Sequence, residues 1–416
     1  MGSYGVDCRV AIIGGGIGGL VCALSLNHHC PGIHVDVYEQ AAEYKEIGAG
    51  LGIGVNAARL LHKLGLGEAI NAIAGRRNGI WISFRRGDTG EEIVTPKADD
   101  SSPIRQMPVH RAEFLDLLKE TVVQRKAATL HTNKRLKIVN EIEGKVKVLF
   151  EDGTETVADV VVGCDGIHSV VREHFVADNP RYSGRIAYRG LVPINEIESF
   201  WPFSSYSASW LNKDKHFLVF PVSQNKTLNI VAFVTKKREE VPELEESWTT
   251  TADRAELENE YMDFDPVVGK VISHMSQRPG KWLLNDRDPL EQWVFCNGKV
   301  VLMGDAAHAM LPHQGAGAGQ AIEDGYIFGR AMQDYLRTGS DLKKWTQVYQ
   351  DVRLPRAQKA QRTAREAGLV YELQADDMKG KTVKECVPEI RNRLKDRMNW
   401  IWKEDIDDAY ENIAYN

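Results

Sequence analysis

The chain has 416 residues, 26% charged and 43% hydrophobic, with 15 prolines, a globular balance that excludes a small stapled scaffold, a collagenous repeat and a disordered tail, and that predicts two domains. Lys and Arg number 52 against 58 Asp and Glu, for a net charge of −6, so no uniform electrostatic attraction to nucleic acid or anionic lipid is expected. The six cysteines, at 8, 22, 30, 164, 296 and 386, form no C-x-x-C pair or metal-spaced cluster and read as reduced thiols of a cytoplasmic protein.

In chain order, residues 9–13 (RVAII) read as a short buried strand, 17–28 as a helix and 33–38 (IHVDVY) as a second strand, a βαβ unit whose right-handed crossover makes the strands parallel. The apolar run 10–26 holds five glycines and is neither a membrane anchor nor an export signal. Met1-Gly2 hints at myristoylation, but Val6 stands where that motif takes Ser or Thr. Residues 55–64 and 111–123 read as amphipathic helices. A strand at 144–150 leads into the Glu151-Asp152-Gly153-Thr154 turn, and 160–163 is another buried strand. From about 181 to 285 the pattern changes to aromatic, alternating runs at 184–193, 206–211, 215–221 and 228–234, the signature of an inserted antiparallel sheet. Residues 299–303 resume the buried-strand pattern, 315–337 form a long helix entered through a glycine-rich loop, and further helices follow 340, with Pro355 expected to break one of them.

Gly14-Gly15-Gly16-Ile17-Gly18-Gly19 satisfies G-x-G-x-x-G between a strand and a helix. Gly14 allows the tight turn, Gly16 lets the backbone approach a pyrophosphate at the helix N-terminus, and Gly19 lets helix and strand pack closely. Glu39, at the end of the second strand, can accept the ribose hydroxyls and would repel a 2′-phosphate. This motif alone leaves NAD and FAD both open.

Two later segments, VVVGCDGIHSVVR at 160–172 and KVVLMGDAAHAMLPHQGAGAGQAIEDG at 299–325, decide between them. In these the chain resembles the class A, single-component FAD-dependent aromatic hydroxylases, most closely their salicylate hydroxylase-like branch, over residues from about 9 to 370. The resemblance implies that Asp165 lies near the pyrophosphate and influences nicotinamide use, that Asp305 holds the ribityl chain, and that Arg111 in MPVHRAEFLDLL lies along the phosphate and ribityl region. It also implies that Gly52 in EIGAGLGIGVN and Ala318 line the cofactor. Pro312 leads into the glycine-alternating stretch 315–319 around Gly317, where a helix N-terminus can face the flavin edge that becomes negative on reduction. His308 is read as a support of its turn.

The fold expected is therefore α/β: a Rossmann-like FAD-binding domain of the hydroxybenzoate hydroxylase type with an inserted, mainly antiparallel substrate sheet and C-terminal helices. The first domain takes 1–75, 101–180 and 286–375, the substrate domain 76–100 and 181–285, and the helical extension 376–416. The resemblance further implies that NADH or NADPH, visiting transiently because no second G-x-G-x-x-G exists, reduces FAD, and that a C4a-hydroperoxide formed with O2 hydroxylates an electron-rich ring. The substrate expected is a phenolic or aminoaromatic acid of the salicylate or hydroxybenzoate type, losing CO2 where the attacked carbon carries the carboxylate.

A phenol attacks best as phenolate, so the inserted sheet should supply a base and a dry cavity. Alternation puts His216, Leu218 and Phe220 on one strand face, and His216 is the candidate base. Arg189 can clamp a phenolate or carboxylate through its planar fork, and Tyr188 beside it is a third candidate. The same chemistry on a polyketide-derived phenol or heteroaromatic acid, a flavin dehydrogenase without oxygen insertion, and a flavin-binding interaction module stay open at this stage. Partners expected are the aromatic substrate, O2 and NAD(P)H, with no nucleic acid, no membrane anchor and no metal, in a monomer or homodimer.

Overall fold

The computed structural model describes residues 8–44, 49–241 and 250–415. Met1, Gly2 and Val6, and the Glu46–Gly48 start of the second glycine-rich motif, lie outside these residues. Val10, Ala11, Ile12 and Ile13 are almost wholly buried because the strand Arg9–Ile13 is paired on both sides, with His34–Tyr38 and with Val160–Gly163. These are the centre of a six-stranded sheet ordered Val294–Phe295, Val300–Leu302, Val160–Gly163, Arg9–Ile13, His34–Tyr38, Thr129–His131. Every pairing is parallel except that of the Val294–Phe295 edge, and parallel strands covered on both faces read as continuous apolar runs.

Against this sheet the helices Ile17–His29 and Gly317–Thr338 pack on each other. Their closeness depends on small residues: a Cβ at Gly325 would lie 2.9 Å from the Cys22 nitrogen, and one at Gly329 would lie 2.2 Å from Ser25 Oγ. Leu136–Ile142, Lys145–Phe150 and Glu155–Ala158 form a three-stranded antiparallel sheet turned through Gly153, at φ +82°.

The alternating runs form a seven-stranded sheet ordered Gly280–Asp286, Arg181–Pro193, Thr227–Thr235, Lys215–Val222, Ala208–Asn212, Ser83–Arg86, Glu92–Val94. Only the Ala208–Asn212 pairing with Ser83–Arg86 is parallel. Period-two alternation gives this sheet two faces of different fate. Ile186, Tyr188, Trp210, Phe217 and Ile230 are buried with Leu257, Val268 and Ile272 of the helices Arg254–Glu260 and Pro266–Ser273. Ala187, Leu218, Val231, Phe233 and Trp282 cluster on the other face with Leu311 of the glycine-rich loop. That second face meets the nucleotide-binding layer, where Asn229 Oδ1 accepts the Gly50 N–H at 2.6 Å.

Pro355 does not break its helix, which runs unbroken over Leu342–Tyr371. Pro355 is exposed, so water can take the carbonyl it leaves unbonded, while Arg353 and Ala357 on the opposite side, with Val352 and Arg356 flanking them, are buried and hold the helix together. Arg353 donates to Glu323 at 2.5 Å and to Asp324 at 2.8 Å, all three side chains fully buried. Arg356 adds two bonds to Glu323 and one to Glu404, which ties the C-terminal segment to the helix behind the glycine-rich loop. The last helix, Ile406–Tyr415, folds back so that the Tyr410 and Tyr415 hydroxyls donate to Asp334 at 2.8 and 2.6 Å. No helix among the described residues is long and apolar enough to cross a membrane, and no cysteine forms a disulfide.

Candidate active site

The first glycine motif forms a cradle with distinct duties at each position. Gly14 has φ +106°, and a Cβ there would lie 2.3 Å from the Cys164 carbonyl oxygen, so the loop turns directly against the end of Val160–Gly163. A Cβ at Gly19 would lie 2.0 Å from the Gly14 oxygen, which fixes glycine by contact with backbone. At Gly16 a Cβ would meet nothing within 4 Å, so open space lies in front of the uncapped N-terminus of Ile17–His29. Glu39 accepts the Gly15 and Ala41 N–H groups at 2.8 Å each, and each carboxylate oxygen keeps a lone pair for a hydroxyl. An open glycine backed by two packed ones, a helix end and a carboxylate suit the pyrophosphate and ribose of a dinucleotide.

Three distant segments converge on this cradle. Asp165 follows Cys164 directly and turns inward, accepting from Ser169 Oγ at 2.5 Å and the Val171 N–H at 3.1 Å. Burial raises its carboxyl above the ordinary value, against those bonds. A Cβ at Gly18 or Gly304 would come to 3.5 or 3.6 Å from Ala321 Cβ, so 304 and the helix Gly317–Thr338 lie beside the first motif. Asp305 is exposed at the start of the short helix Asp305–His308. Behind it Asp324 accepts from the Gly304 N–H at 2.9 Å and bonds His308 Nε2 at 2.6 Å, so His308 supports the turn as expected.

A second convergence faces the seven-stranded sheet. Gly52, on Gly50–Ile53, pairs with Pro108, and a Cβ on it would lie 3.8 Å from the Gly315 oxygen. Pro312 opens the single turn Pro312–Gln314, Gly315 takes φ +60°, Gly317 begins the long helix and Ala318 is partly exposed beside it. Arg111 begins the helix after Met107–His110, its N–H donating to the Ala49 carbonyl at 2.9 Å. Between these loops and the sheet sits Arg77, which donates to the Trp81 carbonyl at 2.5 Å. Its guanidinium is pulled down to about 10 by burial and lies 5.5 Å from the Phe220 ring centroid.

Arg189 and His216 share the face turned toward these loops. The Arg189 guanidinium lies 4.2 Å from the Trp282 ring centroid with its Nε buried and without a hydrogen-bond partner. Burial, and then the charge of Arg111, lower it to about 9. His216 is buried, stacked on Phe233 at 4.2 Å and 9°, and its Nδ1 lies 2.9 Å from Glu372 Oε1. Tyr188 is not brought to this group. It lies in the core on the opposite face, its hydroxyl donating to Glu256 Oε1 at 2.6 Å, because strand neighbours point to opposite sides of a sheet.

Three side chains that carry the site escaped the sequence reading. His313 lies 5.3 Å from His216 ring to ring, and both of its nitrogens are buried without partners. Burial, then His216 and Arg185, hold its imidazole well below the usual range. It stands inside the Pro312–Gln314 turn already singled out, so the motif carried the signal. Arg185 lies four residues before Arg189, hence on the same face, and donates to Glu372 at 2.7 Å. Glu372 follows the end of Leu342–Tyr371, far from His216 in sequence and with no local pattern to mark it.

Residues 7–364 match the family described as FAD binding domain. The chain is 34% identical to a salicylate hydroxylase of Pseudomonas putida, over 96% of this chain and 93% of that one. It is 33% identical to a 6-methylsalicylate 1-monooxygenase of Aspergillus terreus, over 96% and 90%. Among solved structures, a salicylate hydroxylase substrate complex superposes with a TM-score of 0.83 at 31% identity, covering 98% of each chain.

Proposed function

The chain belongs to the FAD binding domain family of flavoprotein monooxygenases, and on that premise we propose that it hydroxylates a phenolic or aminoaromatic acid of the salicylate or hydroxybenzoate type. It is an NAD(P)H-dependent flavoprotein monooxygenase. FAD supplies the activation of O2 that delivers one oxygen atom to the ring. The carrying observation is Arg189: a half-buried guanidinium over the Trp282 ring with its Nε buried and unsatisfied is a site for a carboxylate attached to an aromatic plane.

In this reading Gly14, Gly16 and Gly19 hold the pyrophosphate, Glu39 the ribose, Asp305 the ribityl chain, and Asp165 and Arg111 the phosphate region. Gly52, Pro312, Gly317 and Ala318 line the ring. The substrate lies between that loop wall and the face bearing Ala187, Leu218, Val231 and Phe233, which excludes water. Arg189 orients the carboxylate, and His216 takes the proton of the ring hydroxyl so that the carbon to be oxidised is electron-rich. Two units divide this work, 76–100 and 181–285 around the substrate and 1–75, 101–180 and 286–375 around the cofactor, with 376–416 as a helical buttress. Six cysteines outside any disulfide support a cytoplasmic setting.

The test is a panel of benzoic acids, and phenols lacking the carboxylate, scored for stimulated NAD(P)H consumption and for product. Hydroxy acids should be hydroxylated and their decarboxylated phenols should bind weakly. A preference for the uncharged phenols would overturn the acid assignment.

A further inference from the structure

Nothing in the G-x-G-x-x-G cradle explains why the end of the helix Leu342–Tyr371 carries a fully buried carboxylate against the substrate sheet. Glu372 Oε2 accepts from Arg185 Nε at 2.7 Å and from Thr235 Oγ1 at 2.7 Å, and Oε1 lies 2.9 Å from His216 Nδ1. Gln374 braces the same group, accepting from Arg185 Nη2 at 2.7 Å and donating to Thr235 Oγ1 at 2.8 Å. A helix C-terminus is the negative end of its dipole and disfavours a carboxylate, so the neighbouring cation and donors are what keep Glu372 there.

We propose that Glu372 is a positioning residue that fixes the tautomer of His216, holding its Nδ1 protonated so that Nε2 is the acceptor for the substrate hydroxyl proton. The inference rests on the reading of His216 as the base. An ionised carboxylate only accepts, and with Arg185 and Thr235 both donating to Glu372 the remaining bond requires a proton on Nδ1, which leaves the lone pair on Nε2. Burial alone would raise the Glu372 carboxyl, but the bond from His216 and the Arg185 charge overcome it and hold it near 2.

The substrate O–H bond breaks and an Nε2–H bond forms, giving phenolate and an imidazolium whose charge faces Glu372. The proton then returns to the product phenolate, so the imidazole ends neutral. Among the described residues the groups around His216 are few. Glu372 and Tyr371 face it from the long helix, Arg185, Phe233 and Thr235 from the sheet, and His313 from the Pro312–Gln314 turn, while the Tyr261 hydroxyl donates to the His216 carbonyl at 3.0 Å. Of these only Glu372 raises the affinity of the imidazole for a proton, while burial and Arg185 lower it.

The experiment uses the FAD-loaded full chain. Nitrogen-15 NMR of the wild type should show His216 with Nδ1 protonated and Nε2 bare; the reverse tautomer overturns the proposal without any variant. In Glu372→Gln, whose amide both donates and accepts, that tautomer should lose its preference. Product formed per NAD(P)H should fall roughly 10- to 100-fold, part of what a positioned base contributes. The acid limb of the kcat–pH profile should move to lower pH, because the imidazole loses the charge that raises it, and Glu372→Asp should restore part of the coupling. Wild-type coupling with an unmoved limb in Glu372→Gln overturns it. If Glu372→Gln does not accumulate as holoprotein, the double variant Glu372→Gln with Arg185→Gln removes both buried charges together and is read by the tautomer and by product per NAD(P)H alone, because loss of Arg185 moves the acid limb the opposite way. His216→Gln separates the two claims: if it alone uncouples, His216 is the base and Glu372 does not position it, and if it stays coupled the base assignment itself fails.

Discussion

Tyr188 and Arg189 are adjacent in the chain and serve opposite sides of the seven-stranded sheet. Tyr188 is wholly buried under the helical cover with its hydroxyl on Glu256, while Arg189 lies over the Trp282 ring on the side facing the glycine loops. Tyr188→Phe should therefore cost about 1–2 kcal/mol of stability, one hydrogen bond to a charged acceptor, with product per NAD(P)H unchanged. Arg189→Ala should leave stability nearly intact and raise the KM for an aromatic acid about 10- to 100-fold, the loss of a charged hydrogen bond. Steady-state kinetics beside urea titration checks both, and uncoupling in Tyr188→Phe would contradict the assignment of faces.

Gly16 and Gly19 belong to one motif but fail differently. A methyl at Gly19 would sit 2.0 Å from the Gly14 carbonyl oxygen, backbone that cannot step aside, so Gly19→Ala should destabilise the apoprotein by about 1–3 kcal/mol. A methyl at Gly16 meets open space, so Gly16→Ala should leave apoprotein stability within about 0.5 kcal/mol and weaken FAD binding about tenfold or more. Apoprotein melting and FAD titration separate the two, and a destabilised Gly16→Ala apoprotein would contradict the open cradle.

Arg353 is the cation shared by two buried carboxylates, Glu323 and Asp324. Arg353→Ala strands that charge and should cost about 3–5 kcal/mol. Because Asp324 also holds the Gly304 N–H and His308, the same variant should weaken FAD binding through Asp305. Chemical denaturation with and without FAD reads both, and a loss under 1 kcal/mol would show that the network is not under strain from burial.

Stability should fall with acid in two stages. His313 and His216 have depressed values in the fold, chiefly through burial, so their contribution is present above an unfolded imidazole value of about 6.5 and declines as pH drops below it. Glu372 and Asp324 are each held near 2 despite burial. Their contribution is complete above about 4.5 and is lost as pH falls toward 2. Urea midpoints measured from pH 8 to 3 should show both slopes, and His313→Phe should flatten the upper one. No slope between pH 7 and 5 would contradict the buried neutral imidazoles.

The cofactor half of the molecule is legible in the sequence because its constraints are local. Gly14, Gly16 and Gly19 lie within six residues, Gly14 and Gly19 each fixed by contact with backbone and Gly16 by the open space in front of it, and the strands on either side are continuous apolar runs. The substrate face is half legible. Alternation places His216, Leu218 and Phe220 together, and applied equally to 185–189 it would have grouped Arg185 with Arg189 and set Tyr188 apart. Glu372 was beyond reach, since only the path of a helix running through Pro355 carries it back to His216.

The most direct test of the account is turnover under oxygen-18-labelled O2 with the best hydroxybenzoic acid from the panel. A ring-hydroxylated product carrying one labelled atom for each NAD(P)H consumed is expected, with that ratio collapsing in His216→Gln while FAD stays bound. NAD(P)H oxidation with every acid yielding hydrogen peroxide or an unlabelled product would contradict it.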